Sequence, residues 1–274
     1  MNFLDFIYGL VLGILLIGNL FSIFLYVKNY ERKINFAFIL LTIVAIAEVN
    51  TQLIFMYQTN LEHFIFFQKV SNSIQFLGAI PLILLFSAYT NYYNSKAIWV
   101  ISVYSVILSG LNLVFPFGLL FNEIIGIKQV QIVGNSVISV AIGEPSAWNY
   151  NSLILLLFIL IYTFWAFIKI KKTGNRSKAF LILFVFVFLI ASIFVNVILI
   201  LNGVNGYSII ETSSYLLFAI LVTHQNIDTI IRSVSIKKQL VESKESLQAI
   251  FEVNPSAILI VDMHSNKILE VNKS

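Results

Sequence analysis

Seven runs of apolar residues in this chain are each close to the length that a helix needs to cross a lipid bilayer. Such a crossing takes about 20 residues, because the hydrocarbon core is about 30 Å thick and a helix rises about 1.5 Å per residue. Lipid offers no water to pair with backbone amides, so each run must be helical. The predicted spans are residues 4–27, 34–56, 64–92, 97–121, 151–170, 179–201 and 207–224.

The composition agrees with lipid as the main solvent of this chain. Of its 274 residues, 59% are hydrophobic and 11% are charged, whereas a soluble domain is about half apolar and about a quarter charged. The net charge of +4 does not indicate nucleic acid, because the basic residues cluster in short loops between apolar runs. The sequence has no cysteine, which excludes disulfides, thiolate nucleophiles and cysteine metal sites.

The basic residues also predict the orientation, because cytoplasmic loops carry an excess of Lys and Arg. The loops on the opposite side hold one basic residue, Lys128. We therefore predict a multi-pass protein of the cell (cytoplasmic) membrane, with its N-terminus outside and its C-terminus in the cytoplasm. The residues that define the cytoplasmic side are Lys28, Arg32, Lys33, Lys96, Lys169, Lys171, Lys172, Arg176, Lys178, Arg232, Lys237 and Lys238.

The longest outer loop, residues 122–150, predicts a short extracytoplasmic β-hairpin. The segments "IKQVQIV" and "SVISVAI" are rich in β-branched residues, and they flank Gly134 and Asn135, which suit a two-residue turn. The segment "GEPSAW" then leads into the fifth span. An irregular re-entrant loop is the alternative structure for this segment.

The chain becomes polar after His224, and residues 225–252 predict a cytoplasmic signalling helix. Its apolar residues follow helical spacing in two phases, which indicates pairing with a second copy of the chain rather than a perfect coiled coil. An amphipathic helix lying on the membrane surface is the alternative. The first phase holds Ile227, Ile230 and Val234, and the second holds Ile236, Leu240, Leu247 and Ile250, interrupted by Ser243.

Residues 253–274 contain two short strand-like segments, "AILIVD" and "KILEV", joined by a polar turn. A helix, Asn-Pro, a strand, a turn and a strand ending in Asn resemble the opening of a PAS domain. A complete domain of this kind needs about a hundred residues. We therefore expect an incomplete PAS-like α/β start and a truncated, 274-residue fragment of a longer protein. The matching positions are Phe251, Asn254, Pro255, Ile258, Asp262 and Asn272.

The membrane part resembles the N-terminal seven-helix region of bacterial sensor histidine kinases that continue into PAS domains. The similar features are "FQKVSNSIQFLGAIPLILLFSAYT" in span three, "GEPSAW" before span five, "KIKKTGNRSKA" after it, and Asn196 in span six. The resemblance implies a homodimeric two-component sensor kinase as the parent. The sequence contains no phospho-acceptor His box, ATP-binding Gly-rich boxes or "GGDEF", so we expect no enzymatic activity and no catalytic residue in this chain.

Polar residues inside the predicted spans are the candidate sensing residues, because ionisable groups are costly in lipid. Four of them lie about 5–9 Å below the predicted outer surface. One interpretation is a Glu48–Lys69 ion pair with amide hydrogen bonds that hold helices together. The others are an outward-facing pocket for a small molecule or ion, and a water-filled crevice. The candidates are Glu48, Gln52, Lys69, Asn72, Asn196 and Glu211.

The sequence thus predicts an all-α membrane protein with three parts: a sensor region (1–224), a linker helix (225–252) and the PAS start (253–274). The predicted function is to relay an outer or intramembrane stimulus to a cytoplasmic output. The predicted partners are the bilayer, a second copy of the chain and an unknown stimulus, with no cofactor, no metal and no nucleic acid. The alternatives are a small transporter or channel, for which we find no internal repeat, and the sensor half of a cyclic-dinucleotide synthase.

Overall fold

The structure, a computed structural model, describes most of the chain in five continuous segments and several residue pairs. The contacts within the chain divide it into two units, Met1–His224 and Gln225–Ser274. The described residues are 3–131, 137–172, 209–253, 259–261 and 268–271, with 179–180, 183–184, 187–188 and 190–191. Its helices are α1 (Phe3–Val27), α2 (Arg32–Met56), α3 (Leu61–Thr90), α4 (Ser95–Val114), α5 (Tyr150–Lys172) and α6 (Ile209–Val253).

Within the described residues, five helices are long and apolar enough to cross a membrane, and these are α1 to α5. They correspond to the first five predicted spans. Of the sixth predicted span, the residues described between 179 and 191 are helical, and 192–201 lie outside the described residues. Residues 209–224 of the seventh span belong to α6. The structure therefore shows a mostly helical membrane protein with five such helices, and the count of seven stays a prediction.

Asparagine side chains define the beginnings of two helices. The Asn60 side chain accepts a hydrogen bond from the backbone N–H of His63 at 3.1 Å, and Asn94 does the same for Ala97 at 3.2 Å. These bonds satisfy amides that have no partner within the first turn of a helix. Helix α3 ends at Thr90, and the next residue, Asn91, adopts a left-handed conformation with φ of 53°. The short links between α2, α3 and α4 are therefore determined by local sequence.

The fourth span is shorter than predicted, because α4 ends at Val114 rather than near residue 121. Phe115 precedes Pro116 and is extended, as the residue before a proline usually is. Gly118 then takes a positive φ of 73°, which reverses the chain. These residues stop the helix even though the apolar composition continues.

The predicted β-hairpin is present and is formed by β1 (Phe121–Gln131) and β2 (Val137–Pro145). The strands are antiparallel, with Ile127 opposite Ala141, and the register shifts twice near the start of β1. The strands are longer than the two quoted segments, and the predicted Gly134–Asn135 turn lies outside the described residues.

The hairpin packs against the ends of α1, α2 and α3. Ile124, Ile138 and Val140 are buried in one apolar cluster with residues of these helices, including Tyr8 and Phe64. The Ser139 hydroxyl donates a hydrogen bond to the carbonyl of Gln58, which lies between α2 and α3. The hairpin therefore covers one end of the helical bundle, the end opposite the basic loops.

Helix α3 lies at the centre of the Met1–His224 unit and packs against α2, α4 and α5. Its buried residues include Phe76, Ile83 and Phe86, which contribute to the main apolar core. Tyr162 of α5 shares a hydrogen bond of 2.6 Å with Ser87 of α3 and donates another to the carbonyl of Tyr92. Interhelical hydrogen bonds of this kind support helix packing in lipid, where burial of apolar surface contributes little.

The Gln225–Ser274 unit contains the polar part of α6 and two short strands. Strands β3 (Leu259–Val261) and β4 (Ile268–Val271) pair antiparallel, with Leu259 opposite Val271. Both strands fall within the segments predicted to be strands. Of the six positions that resemble a PAS domain, Phe251 lies in α6, and the other five lie outside the described residues.

Candidate functional site

Among the buried polar side chains that the structure describes, two clusters contain predicted site residues. The first, the α1–α2 cluster, consists of Tyr8, Glu48 and Gln52. The Tyr8 hydroxyl donates to Gln52 Oε1 at 3.3 Å, and Gln52 Nε2 donates to Glu48 Oε1 at 2.9 Å. Glu48 is 0% exposed. The amide of Gln52 therefore joins a fully buried carboxyl group on α2 to a phenol on α1.

The second cluster, the α3–α4 cluster, is built around Asn112 in the last turn of α4. Asn112 Nδ2 donates to Ser73 Oγ at 2.9 Å and to the backbone carbonyl of Lys69 at 2.7 Å. Asn112 Oδ1 accepts a hydrogen bond from the backbone N–H of Leu119 at 2.9 Å. Ser73 Oγ in turn donates to the carbonyl of Ser109 at 3.2 Å. One buried amide thus connects α3, α4 and the turn that follows α4.

Gly118 allows this turn to lie directly against the α3–α4 cluster. A Cβ atom at Gly118 would lie 2.7 Å from Asn112 Oδ1 and 3.4 Å from Lys69 Cγ. The first distance is too short for any side chain, and the second places the stem of Lys69 beside the turn. The Lys69 side chain, which is half-buried, therefore lies next to the segment between α4 and β1.

The structure brings some of the predicted site residues together and separates others. Glu48 and Gln52 are hydrogen-bonded in the α1–α2 cluster, whereas Lys69 belongs to the α3–α4 cluster. Asn72 is half-buried on α3. Asn196 lies outside the described residues, and Glu211 lies in α6 with a side chain that the structure does not describe.

The ion pair between Glu48 and Lys69 is not among the ion pairs of the described residues. Those pairs are Arg232–Asp228 and Lys238–Glu242, both on α6. Glu48 accepts a hydrogen bond from a neutral amide instead. The described contacts of the two clusters are hydrogen bonds. The outward-facing pocket and the water-filled crevice stay predictions beside them.

A cavity of about 150 Å³ opens beside the α3–α4 cluster. Half of its eight lining residues are aromatic, and the rings of Phe115 and Trp148 lie 5.5 Å apart. The Ser146 hydroxyl accepts a hydrogen bond from the backbone N–H of Trp148 at 3.1 Å, which positions this part of the wall. Pockets for drug-sized ligands have volumes of about 300–1,000 Å³, so this cavity suits only a small molecule. Its lining residues are Phe115, Pro116, Phe117, Gly118, Phe121, Asn122, Ser146 and Trp148.

Sequence analysis did not single out Tyr8, Ser73, Asn112 or Gly118. Asn112 carries a detectable signal, because it is the one amide side chain of a largely apolar helix and lies four residues before a proline. Gly118 follows the same proline by two residues, a spacing that is typical of a turn. Tyr8 carries no such signal, because tyrosine is common in the spans and only packing selects this one.

The fold and these clusters define a helical, multi-pass membrane protein with a β-hairpin over one end of its bundle. No protein-family model matches the chain, and no curated protein matches it. The resemblance to sensor histidine kinases therefore stays a proposal.

Proposed function

We propose that this chain is the membrane-embedded sensory and signal-transmission part of a two-component sensor histidine kinase. In this proposal, the hairpin-covered end of the bundle faces outside and receives a small-molecule or ion stimulus. Helix α6 then passes the signal to a cytoplasmic PAS and kinase output encoded beyond this chain. The single observation that carries the proposal is the length and character of α6.

Helix α6 is 45 residues long, which corresponds to about 68 Å at about 1.5 Å per residue. A crossing of the hydrocarbon core needs less than half of that length. The helix begins in the apolar sequence "IIETSSYLLFAILV" and continues into the polar segment predicted as the linker. One continuous helix that joins these two sequence types suits a protein that passes movement from a membrane segment to a cytoplasmic segment.

The polar part of α6 also supports the proposed homodimer. Every residue from Val234 to Ile250 is exposed in the single chain. Leu240 and Leu247 are 70% and 65% exposed, and Ile236 and Ile250 flank them at heptad spacing. A second copy of α6 would cover these side chains. The salt bridges Arg232–Asp228 and Lys238–Glu242 each join residues i and i+4 of α6. They therefore do not shield the apolar side chains from solvent.

The α3–α4 cluster and the adjacent cavity are the proposed location of the stimulus. A ligand that binds there would contact Gly118 and lie next to Asn112 and Lys69, which connect α3 to α4. It would shift the balance between two helix packings only through a difference in its contacts with them. The α1–α2 cluster would couple such a change to the first two helices, because α2 packs on α3.

Replacing Lys69 with Met in the full-length gene product is expected to change the signalling output by several fold at normal protein abundance. Lys69 contributes a hydrogen bond through its backbone carbonyl, which the variant keeps, so folding is expected to survive. The measurement is phosphorylation of the cognate response regulator, normalised to protein in the membrane fraction. Lys128→Met, at an exposed position of β1, is the matched control. Unchanged output at normal abundance contradicts the proposed pocket, and lost abundance assigns Lys69 to folding.

Reporter fusions are expected to place Met1 and Ser274 on opposite sides of the membrane. Green fluorescent protein should fluoresce when it is fused after Tyr93 or Ser274, and alkaline phosphatase should be active when it is fused after Gln58 or Gln131. This pattern follows from an odd number of crossings with the basic loops inside. Both termini on the same side would contradict the relay.

The type of output is a separate question. Sequencing of the gene beyond codon 274 would distinguish a kinase output from a cyclic-dinucleotide synthase.

A further inference from the structure

Described residues on one face of α5 line an open groove of about 560 Å³ near the end of the helix. The residues that line it recur at helical spacing, so they form a single stripe. The stripe is apolar over its first part and basic at its end, where α5 reaches its last turn. The lining residues are Phe164, Phe167, Ile168, Lys171 and Lys172.

The dimensions of this stripe match one leaflet of a bilayer. Phe164 and Lys172 are eight residues apart, which corresponds to about 12 Å along the helix. A leaflet contributes about half of the hydrocarbon thickness of about 30 Å. When the two lysines lie at the level of the headgroups, Phe164, Phe167 and Ile168 therefore lie beside the acyl chains.

We propose that this groove is a binding site for an anionic phospholipid. One acyl chain packs along the apolar part of the stripe, and the headgroup phosphate accepts hydrogen bonds from the ammonium groups of Lys171 and Lys172. The site does not depend on the proposed signalling function or on the orientation, because it requires only that this end of α5 lie at a membrane surface.

Charge selects an anionic lipid over a zwitterionic one at this position. Residues 150–172 contain no Asp or Glu, and their three charged side chains are all lysines near the end of the helix. Lys171 and Lys172 are both exposed, and neither takes part in the ion pairs of the described residues. Each Lys near a membrane surface strengthens attraction to anionic lipid about fivefold.

The test is native mass spectrometry of the purified full chain after incubation with equal amounts of phosphatidylglycerol and phosphatidylcholine. The wild type is expected to retain phosphatidylglycerol at least tenfold over phosphatidylcholine. The double variant Lys171→Gln, Lys172→Gln should lose most of this preference, because both ammonium groups are removed. Lys169→Gln is the matched control, since Lys169 lies on the same turn outside the groove.

A second variant tests the apolar part of the groove. Ile168→Trp places a bulkier side chain in the apolar part of the groove without changing the charge, and it is expected to reduce retention of phosphatidylglycerol several fold. Equal retention of the two lipids by the wild type overturns the proposal. Equal losses in Lys169→Gln and the double variant also overturn it, because they indicate diffuse attraction. Full retention of phosphatidylglycerol by the Ile168→Trp protein overturns the proposal as well.

A fluorescence measurement keeps the test decisive if the double variant fails to fold. Trp165 lies beside the groove residues in sequence and is 53% exposed. In a Trp99→Phe, Trp148→Phe protein with native lysines, brominated phosphatidylglycerol should quench Trp165 more strongly than brominated phosphatidylcholine at equal concentration. Equal quenching by the two lipids overturns the proposal.

Discussion

Replacing Gly143 with Ala is expected to disrupt the β1–β2 hairpin. An added Cβ would lie 2.1 Å from the carbonyl oxygen of Glu123 and 3.0 Å from Cα of Ile124. Both are backbone atoms of the facing strand, so they cannot move aside as the end of a side chain can. Overpacking of this kind costs about 1–3 kcal/mol, and separating the strands would also uncover the bundle end. We expect a lower unfolding temperature in detergent and faster proteolysis within residues 121–145.

Gly126→Ala is the matched control for this prediction. Gly126 lies in the same hairpin, in β1, and a Cβ there would have no neighbour within 4 Å. The Gly126→Ala protein should therefore unfold at the same temperature as the wild type. A Gly143→Ala protein as stable as Gly126→Ala would show that the close approach of the two strands does not occur in the membrane.

Asn112→Leu is expected to destabilise the bundle by about 1–3 kcal/mol, because a leucine cannot replace the hydrogen bonds of the amide. The variant leaves the N–H of Leu119 without its partner, and a buried unpaired group costs about 1–3 kcal/mol. It also removes the bonds that join Asn112 to Ser73 and to the carbonyl of Lys69 on α3. Asn112 is 0% exposed, so water or lipid cannot compensate. The measurement is thermal unfolding in detergent, followed by intrinsic fluorescence.

Asn50→Leu is the control for the chemical change itself. Asn50 is exposed on α2, and its amide donates only to a carbonyl of its own helix, that of Ile46 at 2.7 Å. Leucine is favoured over asparagine on a lipid-facing surface, so this variant should be as stable as the wild type or more stable. Equal destabilisation by both substitutions would contradict the role given to Asn112.

The two predictions concern the same end of the molecule. Gly143 allows the close pairing of the two strands in the hairpin that covers the bundle, and Asn112 connects α4 and its following turn to α3. In the proposed function, this end receives the stimulus. Variants that weaken either contact should therefore also change signalling at temperatures below unfolding.

Much of the fold could be predicted from local sequence. The prediction was wrong where the apolar composition continues but the backbone leaves the helix. The spans at α1, α2, α3 and α5 were predictable because transfer of a side chain into lipid depends mainly on the side chain itself. The span at α4 was predicted too long, because residues 115–121 are apolar. Pro116 and Gly118 end the helix for conformational reasons that hydropathy does not measure.

The candidate site was predicted only in part. Depth along a helix follows from residue number, so Glu48 and Lys69 were correctly treated as polar residues within helices. Which partner each one meets depends on how the helices rotate about their axes, and rotation is decided by packing between helices. Glu48 accepts a hydrogen bond from Gln52, and Gln52 in turn accepts one from Tyr8. An ion pair between Glu48 and Lys69 is not among the ion pairs of the described residues.

The sequence by itself determined that this chain needs a bilayer, that a hairpin follows α4, and that a polar helix follows the last apolar run. These properties depend on the transfer of each side chain from water into lipid and on the propensity of each residue for helix, strand or turn. Only the tertiary structure decided that Asn112 joins α3, α4 and their turn, and that Gly143 lies against the backbone of Glu123. Such contacts bring together residues that are distant in sequence, and their distances exist only once the helices and strands have packed.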